Sequence, residues 1–162
     1  MNHRNALEAS LALAVEQGDP QPAIYARLFA LHPGTEAEFW RDGSGRIRGE
    51  MLARSFEMIL DLAESADGGW GRAFLGTEAV THDAYGIPRA VFGDFVPIIA
   101  GVIREACGAG FTPVMAAAWA AVVARAEATL AALPGSSAEP RAIDPDAILP
   151  PLAERGAFFP QR

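Results

Sequence analysis

The sequence predicts an all-α protein, and three observations carry that expectation. Ala and other strong helix formers outnumber runs of Val, Ile and Thr. Apolar residues recur at three- and four-residue steps in successive segments, the period of a helix with one buried face. Between those segments stand Gly, or Pro next to Asp, His or Thr, which stop one helix and open the next.

The first helix is expected over residues 6–17, stopped by Gly18. Asp19-Pro20 then offers a capping carboxylate and a proline suited to a first turn. The second helix follows over 20–31, with Ile24, Leu28 and Leu31 on one stripe, until His32-Pro33 breaks it. Pro33 can open a short helical segment carrying Phe39 and Trp40. Asp42-Gly43-Ser44-Gly45 is a loop. The third long helix spans 47–64, where Leu52, Phe56, Ile59, Leu60 and Ala63 share a face. Gly68, Gly69 and Gly71 interrupt the chain before a weaker helix over 74–84. Gly86 suits a left-handed helix end, and Pro88 starts a long apolar helix to residue 107, with Pro97 expected to bend it. After Gly108-Ala109-Gly110, Thr112 caps the last long helix, which runs from Pro113 to about residue 132. Residues 1–133 therefore form one domain. Residues 134–162 form a Pro-rich tail with room for one short helix over 144–154.

Composition excludes several kinds of chemistry. Of 162 residues, 51% are apolar, enough for a sizeable core. The net charge is −7 and the pI about 4.9, which argues against a nucleic-acid partner. All 13 basic residues are Arg, so a Lys Schiff base and a P-loop lysine are ruled out. A single Cys, Cys107, allows no internal disulfide or Cys-rich metal site, and reads as a small buried hydrophobe. The N-terminus lacks the pattern of a signal peptide. The most apolar long stretch, 91–111, carries Asp94, Arg104 and Glu105, so neither it nor any other segment is expected to cross a membrane. The expected location is the cytoplasm.

Three His are present. His3 lies in the terminus and His32 at a helix junction, where capping or packing accounts for it. His82 lies near the end of a short helix, four residues before Gly86. A lone His in a helix is more readily structural or solvated than a ligand, but its company here changes the reading. Tyr25-Ala26-Arg27-Leu28-Phe29 leads to His32-Pro33, and Phe39 falls 14 residues after Tyr25. That run resembles the second and third helices of bacterial single-domain haemoglobins and of the globin domain of flavohaemoglobins. His82-Asp83-Ala84-Tyr85-Gly86-Ile87 resembles the segment in which that family's iron ligand precedes a Gly-Ile or similar pair. Trp119 falls where the family often has a Trp in its last helix. The resemblance covers roughly residues 5–132.

The resemblance implies a globin fold, a helical sandwich around a haem pocket, with haem b (iron protoporphyrin IX) as cofactor and His82 as metal ligand. Imidazole Nδ1–H needs an acceptor if Nε2 is to hold iron, and the Glu78 carbonyl one turn earlier is placed to accept it, supplemented by the Thr81 hydroxyl. Phe39 and Ile87 are expected to pack on the porphyrin. Tyr25 is expected to aim its hydroxyl at a diatomic ligand; the alternative is donation to a backbone carbonyl. Alignment from Phe39 puts Arg48 where relatives carry Gln or His, and Leu52 one turn later over the iron. Arg48 would then donate to the ligand or to a propionate, or stand in solvent; a one-residue shift of the loop would select Gly49 or Ile47 instead.

Flavohaemoglobin-type globins with peroxidase-like chemistry have a Tyr and a Glu behind the proximal His. Phe92 and Pro134 stand at those places here, so no side chain there can polarise the imidazole. No flavin or nicotinamide domain is expected after the globin portion. The resemblance therefore favours reversible binding of O2, and of CO and NO, for storage, delivery or scavenging. The alternatives are an NO dioxygenase fed by a separate reductase, and a gas-sensing or partner-binding globin. Ile148, Leu149, Leu152, Phe158 and Phe159 make the tail too apolar for a solvated linker. Docking on the globin surface is favoured over a free tail, and a second subunit, as in a homodimer, or a partner is the other place it could dock.

Overall fold

The computed structural model describes residues 2–64 and 69–134. Six α-helices carry them: α1 (His3–Glu16), α2 (Gln21–Leu31), α3 (Arg46–Glu64), α4 (Trp70–Ala84), α5 (Arg89–Cys107) and α6 (Pro113–Ala131). Short 3-10 turns fill Thr35–Phe39 and Gly108–Gly110. No strand occurs among the described residues, as an all-α fold requires.

The helix ends are set by local chemistry. The Asn2 side chain accepts the N–H of Asn5 at the start of α1, and Thr112 accepts that of Met115 at the start of α6. The Asp19 carboxylate accepts the N–H of Gln21 at 2.9 Å. Helix α3 starts on Asp42, whose two carboxylate oxygens accept the N–H groups of Ile47 and Arg48 at 2.9 and 3.0 Å. Helix α5 runs unbroken over Pro97, whose missing N–H leaves the Gly93 carbonyl without its helical donor.

Helix α4 begins at Trp70, four residues before the expected Phe74. Gly71 is a point of close approach and not a break. A Cβ there would lie 2.7 Å from the Met58 carbonyl oxygen of α3, so only glycine lets the two helices touch. Its N–H donates to Asp61 Oδ2 at 2.7 Å.

The core lies where α1, α5 and α6 meet, with α3 and α4 closing one side and α2 crossing α5. Leu7, Ile24, Ile59, Leu75, Ile99, Ile103 and Val122 are fully buried there. Each such side chain contributes about 1.5–3 kcal/mol relative to exposure. One polar chain crosses this core with its donors satisfied. Trp119 Nε1–H donates to Ser10 Oγ at 2.9 Å, and Ser10 in turn donates to the Leu7 carbonyl at 2.7 Å. Cys107 is buried, donates weakly to the Ser10 carbonyl, and has its thiol pKa pushed up by burial.

By length and composition alone, α6 is long and apolar enough to cross a membrane, contrary to the sequence expectation for any segment. In the fold it packs against α1, α3, α4 and α5 and buries Met115, Ala118, Trp119 and Val122 among them. Of the expected tail, only Pro134 is described. Its carbonyl accepts from Arg89 Nη1 at 2.8 Å; the short helix and the apolar residues beyond it lie outside the described residues.

Candidate functional site

A cavity of about 410 Å³ opens between α2, α3, α4 and α5. Its size falls within the range of small-molecule sites. Tyr25 and Leu28 come from α2, and Phe39 from the 3-10 turn. Met51, Ser55 and Met58 come from α3, Phe74 and His82 from α4, and Val91, Phe92, Phe95 and Val96 from α5, with Ile87 in the corner between the last two. The lining is mostly apolar, and Arg54, Glu50 and Glu78 are its charged members.

His82 sits in the last turn of α4. Gly86, at φ +82°, takes the left-handed conformation that lets the chain reverse, and the Ile87 N–H closes the turn on the His82 carbonyl at 3.0 Å. An ion pair between Arg89 and Asp83 pins the corner from the α5 side. The imidazole Nδ1 lies 2.8 Å from the Glu78 carbonyl oxygen. A carbonyl can only accept, so Nδ1 carries a proton, and in the neutral ring Nε2, on the far edge, has the lone pair. The Phe92 ring lies against the imidazole, 4.9 Å between centroids. The Thr81 hydroxyl, expected to assist His82, donates instead to the Thr77 carbonyl at 2.9 Å.

Tyr25 forms the opposite part of the wall, inside an aromatic cluster. Its ring centroid lies 5.6 Å from Phe39, 5.9 Å from Phe29 and 5.7 Å from Phe95. Burial pushes the phenol pKa well up, so the hydroxyl keeps its proton. That proton goes to the Arg48 carbonyl at 2.9 Å and not into the cavity. Sequence reading placed the residue at the cavity but favoured the other hydroxyl partner.

Arg48 and Leu52 do not line the cavity. Arg48 Nε donates to Asp42 Oδ2 at 2.9 Å and Nη2 to the Asp42 carbonyl at 3.2 Å, which holds the guanidinium on the helix start. Burial of Asp42 opposes its ionisation, but the N–H groups of Arg48 and Ile47 and the Arg48 guanidinium outweigh it. They hold the carboxyl below the usual carboxylate range. Leu52 is buried in the core. The cavity-facing stripe of α3 is Met51, Ser55 and Met58, one residue out of the expected register, or about 100° around the helix. One turn before Met51 stands Ile47, the shifted alternative, which is 46% exposed. The Ser55 hydroxyl donates to the Met51 carbonyl at 2.8 Å, so neither Tyr25 nor Ser55 has a free O–H proton.

His32 lies outside the cavity lining and links α2 to α5 through Asp94, with Nε2 2.8 Å from Oδ2. Among the described residues no group of three or more His, Cys, Asp or Glu side chains is placed to hold a metal ion. A single imidazole beside an apolar slot suits a metal that a macrocycle already holds, and the lining has that chemistry: one imidazole among mostly apolar side chains. Sequence reasoning missed Met51, Met58 and Phe95 as wall residues; the spacing 51/55/58 is helical, but so is the neighbouring stripe through Leu52, and spacing alone does not choose between them.

A search of curated proteins and one of solved structures return no match. The globin family model matches residues 22–130, from the start of α2 to the end of α6. Globins hold haem and bind diatomic gases. With that match over more than half of its length and this arrangement of helices, the chain belongs to the globin family.

Proposed function

We propose that this chain is a single-domain haem-binding globin of the bacterial type, with its domain in residues 1–133. In this reading His82 ligates the iron of haem b, and the activity is reversible binding of O2, and of CO and NO, in the cytoplasm. The observation that carries it is the state of the His82 ring. Its Nδ1–H is committed to the Glu78 carbonyl, its Nε2 lone pair is left available, and the ring lines an apolar cavity.

Haem, when bound, supplies an iron that accepts a diatomic gas as a further ligand. The chain's own residues do the rest. His82 offers Nε2 in a fixed tautomer. Ile87, Val91 and Phe92 near it, with Phe39, Phe95, Met51 and Met58, give the slot its apolar walls. Arg54 is the basic member of the lining and is paired with Glu57 at 3.0 Å on the exposed side of α3; Arg48 is committed to Asp42. The committed protons of Tyr25 and Ser55 support ligand binding over chemistry that needs a distal acid.

Titration of the purified full chain with haem, followed by absorption, tests this reading. Wild type should take up one equivalent and give a Soret band that shifts with CO. His82→Ala should abolish stable uptake, while His32→Ala should keep the spectrum. Stoichiometric haem with an unchanged Soret band in His82→Ala would remove His82 from the role.

A further inference from the structure

Glu78 contributes more to His82 than a backbone carbonyl. It stands one turn before His82 on α4 and lines the same cavity. Its carbonyl accepts the Nδ1–H at 2.8 Å, and Oε2 of its carboxylate lies 3.7 Å from the same nitrogen. The carboxylate is half-buried, and His82 is its one ionic partner among the described residues. Among the described residues no other acceptor meets that edge of the ring. Phe92 covers the imidazole from α5 and has no acceptor, and the Thr81 hydroxyl is turned to Thr77. The sequence expectation that no side chain polarises this imidazole considered only positions 92 and 134. The carboxylate comes from α4 itself.

We propose that the Glu78 carboxylate is a positioning residue that strengthens His82 as a ligand for haem iron. The inference rests on the haem-binding reading above. At 3.7 Å the carboxylate is too far for a hydrogen bond and acts through its field. Shielded from bulk water on one side, a negative charge draws the Nδ1 proton toward itself and raises the electron density of the ring. A more basic imidazole binds iron more strongly and favours its ferric state. Because the carbonyl is backbone, substitution of Glu78 removes the carboxylate and leaves the hydrogen bond that orients the ring.

The test uses the haem-loaded full chain, with Glu78→Gln, Glu78→Ala and Glu78→Asp. The Fe–His stretching band of the ferrous form is read by resonance Raman, and the reduction potential by spectroelectrochemistry. The inference expects the band to move to lower frequency and the potential to rise in Glu78→Gln and Glu78→Ala, with Glu78→Asp between them and wild type. Wild-type band and potential in both Glu78→Gln and Glu78→Ala would overturn it. Weaker haem retention by a folded Glu78→Gln, with the band moved down in the haem that remains, would support it, since a weaker ligand holds iron less well. A wild-type chain that takes up no haem would overturn the haem-binding reading and this inference together; unchanged variants of a haem-loaded chain overturn the inference alone.

Discussion

The Tyr25 hydroxyl donates its one proton to the Arg48 carbonyl, 2.9 Å away, and so ties α2 to α3 along the cavity wall. Arg48 is itself fixed to Asp42, which caps α3. The phenol is therefore part of the frame that holds the cavity open. Among its aromatic neighbours it is 2% exposed, and water has little access to replace it.

Tyr25→Phe should accordingly act on stability first. It removes the second donor of the Arg48 carbonyl, which keeps the helical N–H of Leu52, at a cost of about 0.5–1.5 kcal/mol. Urea denaturation should show that loss as a lower midpoint with an unchanged slope. In the haem-loaded protein, O2 release should speed up by less than roughly fivefold, corresponding to about 1 kcal/mol or less. An acceleration well above tenfold in stopped-flow measurements would mean that the hydroxyl leaves Arg48 for the ligand.

How much of this was legible in the sequence follows the range of each interaction. The link between His82 and the Glu78 carbonyl spans one helical turn, and the reversal at Gly86 needs only a left-handed glycine; both could be read from the chain. The rotation of α3 could not. It is set by Asp42 reaching over a loop to Ile47 and Arg48, and a shift of one residue there turns Leu52 from wall to core and brings Met51 to the cavity. Gly71 misled for a related reason. A glycine that breaks a helix and one that lets another helix approach look alike in sequence, and only the Met58 carbonyl across the contact tells them apart. The Glu78 carboxylate escaped because it was read as a backbone acceptor alone.

The contact at Gly71 gives a prediction of opposite signs at two glycines of one helix. Ala is preferred over Gly within a helix by about 1 kcal/mol. At Gly76 a Cβ would meet only Leu133 Cδ2 at 3.6 Å, an ordinary contact, so Gly76→Ala should stabilise by up to that amount. At Gly71 the Cβ would sit 2.7 Å from backbone oxygen and 3.0 Å from Asp61 Oδ2, which cannot both yield without parting α3 from α4. Gly71→Ala should destabilise by about 1–3 kcal/mol. Thermal unfolding of the two variants checks the pair, and a raised Tm in Gly71→Ala would mean that the helices do not meet this closely.

The cap on α3 should also leave a mark on the acid stability of the protein. Asp42 has its folded-state pKa held below the ordinary value of 3.8, so the folded protein binds the proton less readily than the unfolded chain. Its contribution is therefore fully present above the ordinary value and is lost as pH falls through the lower folded-state value. Other carboxylates titrate nearby; Glu105, paired with Arg27, is also held below its ordinary value. Comparison with Asp42→Asn isolates this one, because Asn still accepts a backbone N–H at the cap but offers Arg48 no charge. The variant should be less stable than wild type at neutral pH, by a margin that stays constant down to about pH 5 and shrinks by about pH 3 as Asp42 itself takes up a proton. Denaturation midpoints for both proteins across that range decide the matter. A margin that persists undiminished at the acid end would show that Asp42 supports α3 through its hydrogen bonds alone and that its charge adds nothing.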